Sequence, residues 1–242
     1  MTPDYGTHAR LGVAVPQANP SVEPELRALM PEGVAVYATR LSHPAPDVET
    51  RLDHYIRHIP EAMATFGHMR LSAFGFGCTG SSYRVGPELE DQLTTKANGR
   101  SGTPVITAAQ AIRRALQTLG VRRIALVSPY PVALAEAGYA YWARAGIEVV
   151  AKVRVDPALT DTHAIYEMTS EHALAAVRGL NRADAEAVVV SGTGMPTLRA
   201  LRLLGDELPI PVISSNLCLA WALLNIAAPD LAPSRPQALL AV

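Results

Sequence analysis

Short apolar runs recur along the whole of this 242-residue chain, and longer amphipathic patterns typical of helices separate them. Several of these runs are apolar throughout, as expected for strands that helices cover on both faces. The candidate strands are residues 11–15, 34–38, 71–76, 105–106, 124–128, 148–153, 187–190 and 212–214. The candidate helices are residues 24–30, 48–66, 87–97, 108–119, 131–145, 163–180, 197–204 and 220–227. This alternation predicts a doubly wound α/β fold with mainly parallel sheets.

An internal repeat divides the chain into two similar halves. Three pairs of segments match at a spacing of 113 or 114 residues: LGVAVP (11–16) with IALVSP (124–129), GVAV (33–36) with GIEV (146–149), and GCTG (77–80) with SGTG (191–194). We therefore predict two α/β lobes, 1–115 and 116–215, related by a pseudo-twofold axis, with a C-terminal helix at 216–242 packed back on the first. Ligands of open α/β sheets bind at the carboxyl ends of strands, so the active site is expected in the cleft between the lobes.

Composition excludes several classes of function. Lys and Arg number 21 against 22 Asp and Glu, for a formal net charge of −1, so we expect no nucleic-acid or membrane partner. Two cysteines far apart in sequence predict neither a disulfide framework nor a metal site. The N-terminus lacks the pattern of a signal peptide, and the longest apolar stretch is too short to span a bilayer, so a cytoplasmic protein is expected. No motif calls for a cofactor.

The strongest chemical signal in the first lobe is a turn of small residues, FGFGCTGSS at 74–82. Its glycines spell G-x-G-x-x-G, but no acidic residue ends a following strand, so a dinucleotide site is rejected. We interpret it as an anion-binding turn built from backbone N–H groups and the hydroxyls of Thr79, Ser81 and Ser82. Such N–H groups are expected to lower the pKa of Cys78 and make it an acid, base or nucleophile. The alternative is a small buried side chain, which is the interpretation we favour for Cys218.

The second lobe repeats this arrangement in SGTGMPTL at residues 191–198. Facing the first turn across the pseudo-dyad, it would supply a second set of donors. Tyr130 and Asn19 follow the first strand of each lobe and either enter the same cleft or cap a turn. His163 either contacts the ligand or caps a helix.

Together the two turns resemble those of the aspartate/glutamate racemase superfamily, and more closely its arylmalonate decarboxylase and maleate cis–trans isomerase branch. The resemblance covers nearly the whole chain. The segment CTGSSYR at 78–84 resembles the first-lobe loop of both enzymes, and its SYR portion leans toward the decarboxylase. The segment SGTGMPTL resembles the second-lobe loop, with its Met-Pro portion leaning toward the isomerase.

The resemblance implies cofactor-free chemistry on carbon acids in a cleft between two lobes. Racemases and the isomerase carry a cysteine in each lobe, whereas the decarboxylase carries only the second-lobe cysteine. This chain has Cys78 at the first position and Gly192 at the second, the mirror of the decarboxylase arrangement. A two-base racemase is therefore disfavoured, because nothing at position 192 exchanges a proton.

Our leading hypothesis is a decarboxylase of a substituted arylmalonate-type acid, with Cys78 protonating an enediolate. One carboxylate is expected to be held by Thr79, Gly80 or Ser81, Tyr130 and Thr193, and the other to face apolar side chains. The alternative is a maleate-type isomerase with Cys78 as nucleophile and Asn19, Tyr130 and His163 positioning carboxylates. A third hypothesis is a dicarboxylate-binding protein without turnover. The partner is a small carboxylic or dicarboxylic acid, and assembly as a homodimer is left open.

Overall fold

The computed structural model describes residues 4–182 and 184–241, and these form two four-stranded parallel sheets. The first has the order β2-β1-β3-β4 and the second β6-β5-β7-β8. The strands are β1 Ala9–Pro16, β2 Val34–Leu41, β3 Ala73–Phe76, β4 Val105–Thr107, β5 Arg123–Ser128, β6 Glu148–Arg154, β7 Ala187–Val190 and β8 Val212–Ser214. The predicted α/β class with parallel sheets is thereby confirmed.

Helices follow the strands and cover the sheets. They are α1 Val22–Leu29, α2 Val48–Arg57, α3 Ile59–Ala64, α4 Thr79–Val85, α5 Pro87–Ser101, α6 Ala108–Leu119, α7 Val132–Arg144, α8 Ser170–Gly179, α9 Leu198–Glu207 and α10 Ser215–Ala227. None of the helices in the described part of the chain is long and apolar enough to cross a membrane.

The strands central to each sheet are buried, and one outer strand of each sheet is partly open. Every residue of β3 and β7 is buried, as are all but one each in β1 and β5. The outer strands β2 and β6 are mostly half-buried. Parallel pairing brings the carboxyl ends of β1 and β3 to one edge, and those of β5 and β7 to the matching edge of the other sheet. The chain segments that leave these four strand ends build the site.

The C-terminal segment differs from the single helix predicted at 216–242. Helix α10 ends at Ala227, and two short 3₁₀ segments, Pro229–Leu231 and Pro236–Ala241, follow it. Prolines at these starts explain the break, because proline lacks the N–H that a continuing helix needs. Helix α10 packs on α6, α1 and β3, whereas the last 3₁₀ segment contacts α9 and β8. The lobe boundaries themselves, 1–115 and 116–215, stay a proposal.

Hydrogen bonds and aromatic contacts join the two halves directly. The hydroxyls of Tyr83 and Ser191 are 2.7 Å apart, and the Trp142 indole donates to Tyr83 at 3.0 Å. The ring of Tyr83 packs edge-on against Tyr130, with 6.0 Å between centroids. These buried polar groups are paired with one another, so the contact holds the two turns in a fixed relation.

Candidate active site

A cavity lies where the strand-end segments of the two sheets meet. It encloses about 600 Å³ of space between its lining atoms, part of which is open to solvent. Among the predicted site residues, six line it: Asn19, Cys78, Gly80, Tyr130, His163 and Thr193. The other three, Thr79, Ser81 and Gly192, are buried but are not among its lining residues.

Cys78 links the end of β3 to the start of α4. It is the N-cap of α4 and is 5% exposed. The Ser81 hydroxyl donates to its sulfur at 3.3 Å. Burial raises the pKa of the Cys78 thiol, and hydrogen bonds from Ser81 and from the Gly80 backbone oppose that rise without cancelling it. The expectation of a lowered pKa is therefore wrong, because burial of the sulfur outweighs the hydrogen bonds that favour the thiolate.

The hydroxyl groups of the first turn are buried, and those of Thr79 and Ser81 donate hydrogen bonds to other protein atoms. Thr79 Oγ1 donates to Ser215 Oγ at 3.1 Å, and Ser81 is engaged with the thiol. Ser82 Oγ is fully buried. The segment predicted as an irregular turn is in fact helix α4, so these side chains follow helical directions. None of these three residues is among those that line the cavity.

The second turn carries a glycine, Gly192, at a position with a left-handed backbone conformation. Gly192 has φ +88°, and a Cβ built on it would lie 2.6 Å from Pro129 Cγ. A side chain at this position would therefore be strained by the positive φ and would require the Pro129 ring to shift. Thr193 donates its hydroxyl to the Gly77 carbonyl at 2.8 Å, which ties the second turn to the first.

Asn19 both caps a turn and reaches the cleft, the two alternatives that its position after β1 suggested. Its Oδ1 accepts from the backbone N–H groups of Ser21 and Val22, at 2.9 and 3.2 Å, and so caps the entry to α1. Its Nδ2 donates to Thr193 Oγ1 at 3.2 Å across the cleft. The amide is thus held rigidly at the cavity wall, with a second N–H on the same nitrogen.

Tyr130 and His163 differ in environment. Tyr130 is 7% exposed, and burial together with the nearby Cys78 raises the pKa of its phenol, so that it stays a neutral donor. His163 lies at the rim, where its side chain is 57% exposed and its Nδ1 lies 3.5 Å from Asp161 Oδ2. Its backbone N–H donates to the same carboxylate at 2.9 Å. Asp161, and not His163, caps the 3₁₀ segment Thr162–Glu167.

Sequence reasoning missed one wall of the cavity. Helix α2 lines it with Val48, Arg51, Leu52 and Tyr55, and Tyr166 closes it from the 3₁₀ segment. The spacing of these four α2 residues puts them on one helix face, and an arginine on such a face was an available signal. Leu52 and Leu134 approach Gly80 and give the cavity an apolar patch.

Within the described ranges, no group of three or more His, Cys, Asp or Glu side chains is arranged to hold a metal ion. The titratable groups at the cavity are instead a thiol, three phenols, a guanidinium and an imidazole, those of Cys78, Tyr55, Tyr130, Tyr166, Arg51 and His163. This set can donate protons and bind anions.

Comparison with known proteins places these features in context. A family model described as arylmalonate decarboxylase matches residues 11–239. A maleate isomerase of Geobacillus stearothermophilus is 25% identical over 235 residues, covering 90% of this chain and 91% of that protein. The crystal structure of a cysteine-to-alanine variant of maleate isomerase from Pseudomonas putida S16 with maleate has a TM-score of 0.82 at 25% identity, covering 96% and 97% of the two chains. A liganded arylmalonate decarboxylase variant, with cysteine for a glycine and serine for a cysteine, has a TM-score of 0.80 at 23% identity, covering 91% and 93%, and shares the fold.

Proposed function

The chain belongs to the arylmalonate decarboxylase family, as its motifs predict, and from that premise we propose that it decarboxylates a substituted malonate without a cofactor. In this proposal the Cys78 thiol protonates the enediolate left by loss of CO₂. The substrate is a small acid with two carboxylates on one carbon.

The observation that carries the proposal is the buried Cys78 thiol at the cavity wall, whose sulfur accepts a hydrogen bond from Ser81 at 3.3 Å. Burial raises the pKa of Cys78, so at neutral pH the sulfur holds its proton. A group that must deliver a proton to carbon has to be protonated beforehand, whereas a nucleophile has to be a thiolate. A protonated thiol at this position fits the role of an acid, while the relatives of the chain support the decarboxylase and the isomerase equally.

In the proposed reaction, each bond that breaks is matched by one that forms, and Cys78 supplies the proton. The bond between the α-carbon and one carboxylate carbon breaks, CO₂ leaves, and the bonding electrons enter the enediolate formed by the remaining carboxylate. The S–H bond of Cys78 then breaks as a C–H bond forms at the α-carbon, and solvent returns a proton to the thiolate. The Ser81 hydroxyl, 3.3 Å from the sulfur, stabilises that thiolate.

Two further features support decarboxylation. The Tyr130 phenol and the second N–H of Asn19 are preorganised donors for the developing charge on the enediolate. The patch made by Leu52 and Leu134 offers the departing carboxylate an environment that disfavours its charge. Cys78 is the proposed proton donor, and Gly192 supplies no acid from the second turn.

A maleate-type cis–trans isomerase is the second candidate, favoured by the named activity of the Geobacillus relative. In that reaction Cys78 adds to the alkene as a thiolate, the central bond rotates, and the thiolate leaves again. A binding protein without turnover is the third. Both the decarboxylase and the isomerase are represented among the chain's relatives, so the substrate has to separate them.

Proton NMR in D₂O with 2-methyl-2-phenylmalonate and, separately, with maleate tests the three. We expect 2-phenylpropionate carrying deuterium at the α-carbon, with the rate reduced at least about 100-fold in Cys78→Ala because a general acid is lost. Cys218→Ala, which alters a fully buried thiol of α10 outside the cavity, is the matched control and should keep the rate.

The product enantiomer gives an independent check. Protonation from Cys78 should yield the enantiomer opposite to that from an enzyme whose acid lies in the second lobe. The same enantiomer would contradict this geometry. Fumarate from maleate without decarboxylation would establish the isomerase instead, and dicarboxylate binding with neither product would establish the binding protein.

A further inference from the structure

One wall of the cavity carries a positive charge to which the proposed reaction gives no role. Arg51 lies on the face of α2 that lines the cavity, and it is the one Lys or Arg among the lining residues that the structure describes. Decarboxylation as proposed needs a thiol, donors for one carboxylate and an apolar patch, but no guanidinium.

Arg51 is held in place by the loop before α2 without being neutralised. Its Nη1 donates to the carbonyls of Ala45 and Pro46 at 2.9 and 2.6 Å. None of the ion pairs among the described residues includes it. Carbonyl groups bear no net charge, so these bonds fix the guanidinium without an ion pair, and no hydrogen bond among the described residues uses its Nη2 or Nε.

The acidic residues near Arg51 are committed elsewhere. Glu49 and Asp53, on the same helix, each lie 3.0 Å from the Arg84 guanidinium. The carboxylate of Asp47 caps α2 by accepting from the Thr50 N–H at 2.7 Å. Hydrogen bonds from Thr50, and to a smaller extent Arg51, lower the pKa of Asp47, so Asp47 lies within the electrostatic reach of Arg51. No carboxylate among the described residues forms an ion pair with Arg51.

The positive charge of Arg51 affects the pKa values of two phenols in the cavity. Burial raises the pKa of both Tyr55 and Tyr166, while Arg51 lowers the pKa of each and the Cys78 sulfur raises it. The two tyrosines thus lie within electrostatic reach of both Arg51 and Cys78. Because both phenols stay protonated at neutral pH, they are hydrogen-bond donors beside the cation.

We propose that Arg51, with the hydroxyls of Tyr55 and Tyr166, forms a subsite for a second anionic group of the substrate, distinct from the carboxylate that becomes the enediolate. This inference rests on the proposed function, because it assigns a substrate class to the same cavity. The preferred substrate is then an acid that carries a further carboxylate on its substituent, and 2-methyl-2-phenylmalonate is a minimal substrate that leaves this subsite empty.

The chemistry limits which carboxylate occupies this subsite. A guanidinium paired with the departing carboxylate would stabilise the ground state and slow the loss of CO₂. The anion held by Arg51 is therefore one that survives the reaction. In the isomerase alternative, it is the carboxylate of the butenedioate farther from the carbon that Cys78 attacks.

Two unreactive ligands that differ by one charge test the subsite directly. Succinate carries two carboxylates, and succinamate replaces one by a neutral amide of nearly the same shape. By isothermal titration calorimetry we expect the protein to bind succinate about tenfold or more tightly than succinamate, the difference typical of a charge-assisted hydrogen-bonded pair. In Arg51→Gln the two affinities should become nearly equal.

Two control variants distinguish the effect of a positive charge at the subsite from the effect of the protein's overall charge. Arg57→Gln removes an exposed arginine from the same helix and should leave the succinate-to-succinamate ratio unchanged. Arg51→Lys keeps the charge but loses the two-pronged geometry, so it should retain part of the ratio. Circular dichroism establishes that each variant is folded.

A ratio near one in the unmodified protein would overturn the proposal, whatever the variants do. So would a ratio that Arg51→Gln leaves intact. Neither measurement depends on turnover, so absence of decarboxylation in the NMR experiment leaves this result standing. Conversely, a failed subsite leaves a Cys78-dependent decarboxylation intact.

Discussion

At the scale of single residues, the sulfur of Cys78 is where burial and hydrogen bonding oppose each other. The side chain is 5% exposed, and the loss of solvent favours the neutral thiol. Hydrogen bonds from Ser81 and Gly80 favour the thiolate, but they are the smaller effect. The balance of these effects raises the pKa of the thiol, which is the direction that the proposed role as an acid requires.

The rate of alkylation by iodoacetamide across a pH series measures the pKa of the Cys78 thiol. Because only the thiolate reacts and the pKa of Cys78 is raised, the rate at neutral pH should be below that of a free cysteine. The midpoint of the pH–rate curve should also lie above that of the free thiol. Mass spectrometry locates the label. In Cys78→Ala the remaining Cys218, fully buried in α10, should stay unlabelled. Fast labelling below neutrality would instead indicate a thiolate and shift the balance to the isomerase.

At the scale of elements, Glu25 of α1 caps a helix of the opposite half. Its Oε1 accepts from the backbone N–H groups of Thr197 and Leu198, the latter at 3.0 Å, where α9 begins. Asn216 at the start of α10 donates to its Oε2 at 2.8 Å. The first N–H groups of a helix have no partner within it, so a carboxylate supplied from another element satisfies them. Glu25 thereby fixes the end of the second-lobe turn.

Glu25→Ala should destabilise the fold by about 3 kcal/mol, because it leaves buried donors without acceptors. For a chain of this size, that corresponds to a fall in Tm of roughly 6–12 °C in differential scanning calorimetry. Glu23→Ala is the control on the same helix. It removes a partly exposed carboxylate paired with Arg40, so a change within about 1 kcal/mol is expected. Equal losses in the two variants would contradict the capping role of Glu25.

The sequence predicted long, regular elements well and short or tertiary features poorly. Helix α6 begins and ends where its pattern indicated, because a Thr107 capping box starts it and Gly120 ends it. The pattern at 48–66 is two helices, since Pro60 starts a new first turn. Helix α4 was missed because its small residues have weak helix propensity.

The site was predicted only as far as local sequence determines it. The two turns follow from strand–turn–helix patterns, so Cys78 and Thr193 could be named. The wall formed by Arg51 and Tyr55 could not, because which face of an amphipathic helix meets a cavity depends on how the helix packs. The direction of the Cys78 pKa shift also depended on burial, which no spacing reveals.

At the scale of the whole molecule, the two sheets are coupled by elements that belong to both. Helix α10 follows β8 of the second sheet yet packs against α1, α6 and β3 of the first half. Hydrogen bonds across the cleft join Asn19 to Thr193 and Tyr83 to Ser191. Neither half therefore buries its core independently of the other.

We expect a single cooperative unfolding transition despite the internal repeat. Far-UV circular dichroism reports the helices throughout, while tryptophan fluorescence reports Trp142 at the contact between the halves and Trp221 in α10. Urea unfolding curves from the two probes should coincide if unfolding is two-state. A fluorescence change that precedes the loss of helix would show instead that the halves separate before they unfold.

The contact between Gly192 and Pro129 also constrains how such a chain can evolve. A cysteine at position 192 would need a backbone at φ +88° to accept a Cβ, which would then lie 2.6 Å from Pro129 Cγ. Relief of the contact with Pro129 alone would leave the strain of the positive φ. A second acid at this position therefore requires both a displacement of the Pro129 ring and a change in the backbone of the turn, so one substitution at residue 192 is not enough.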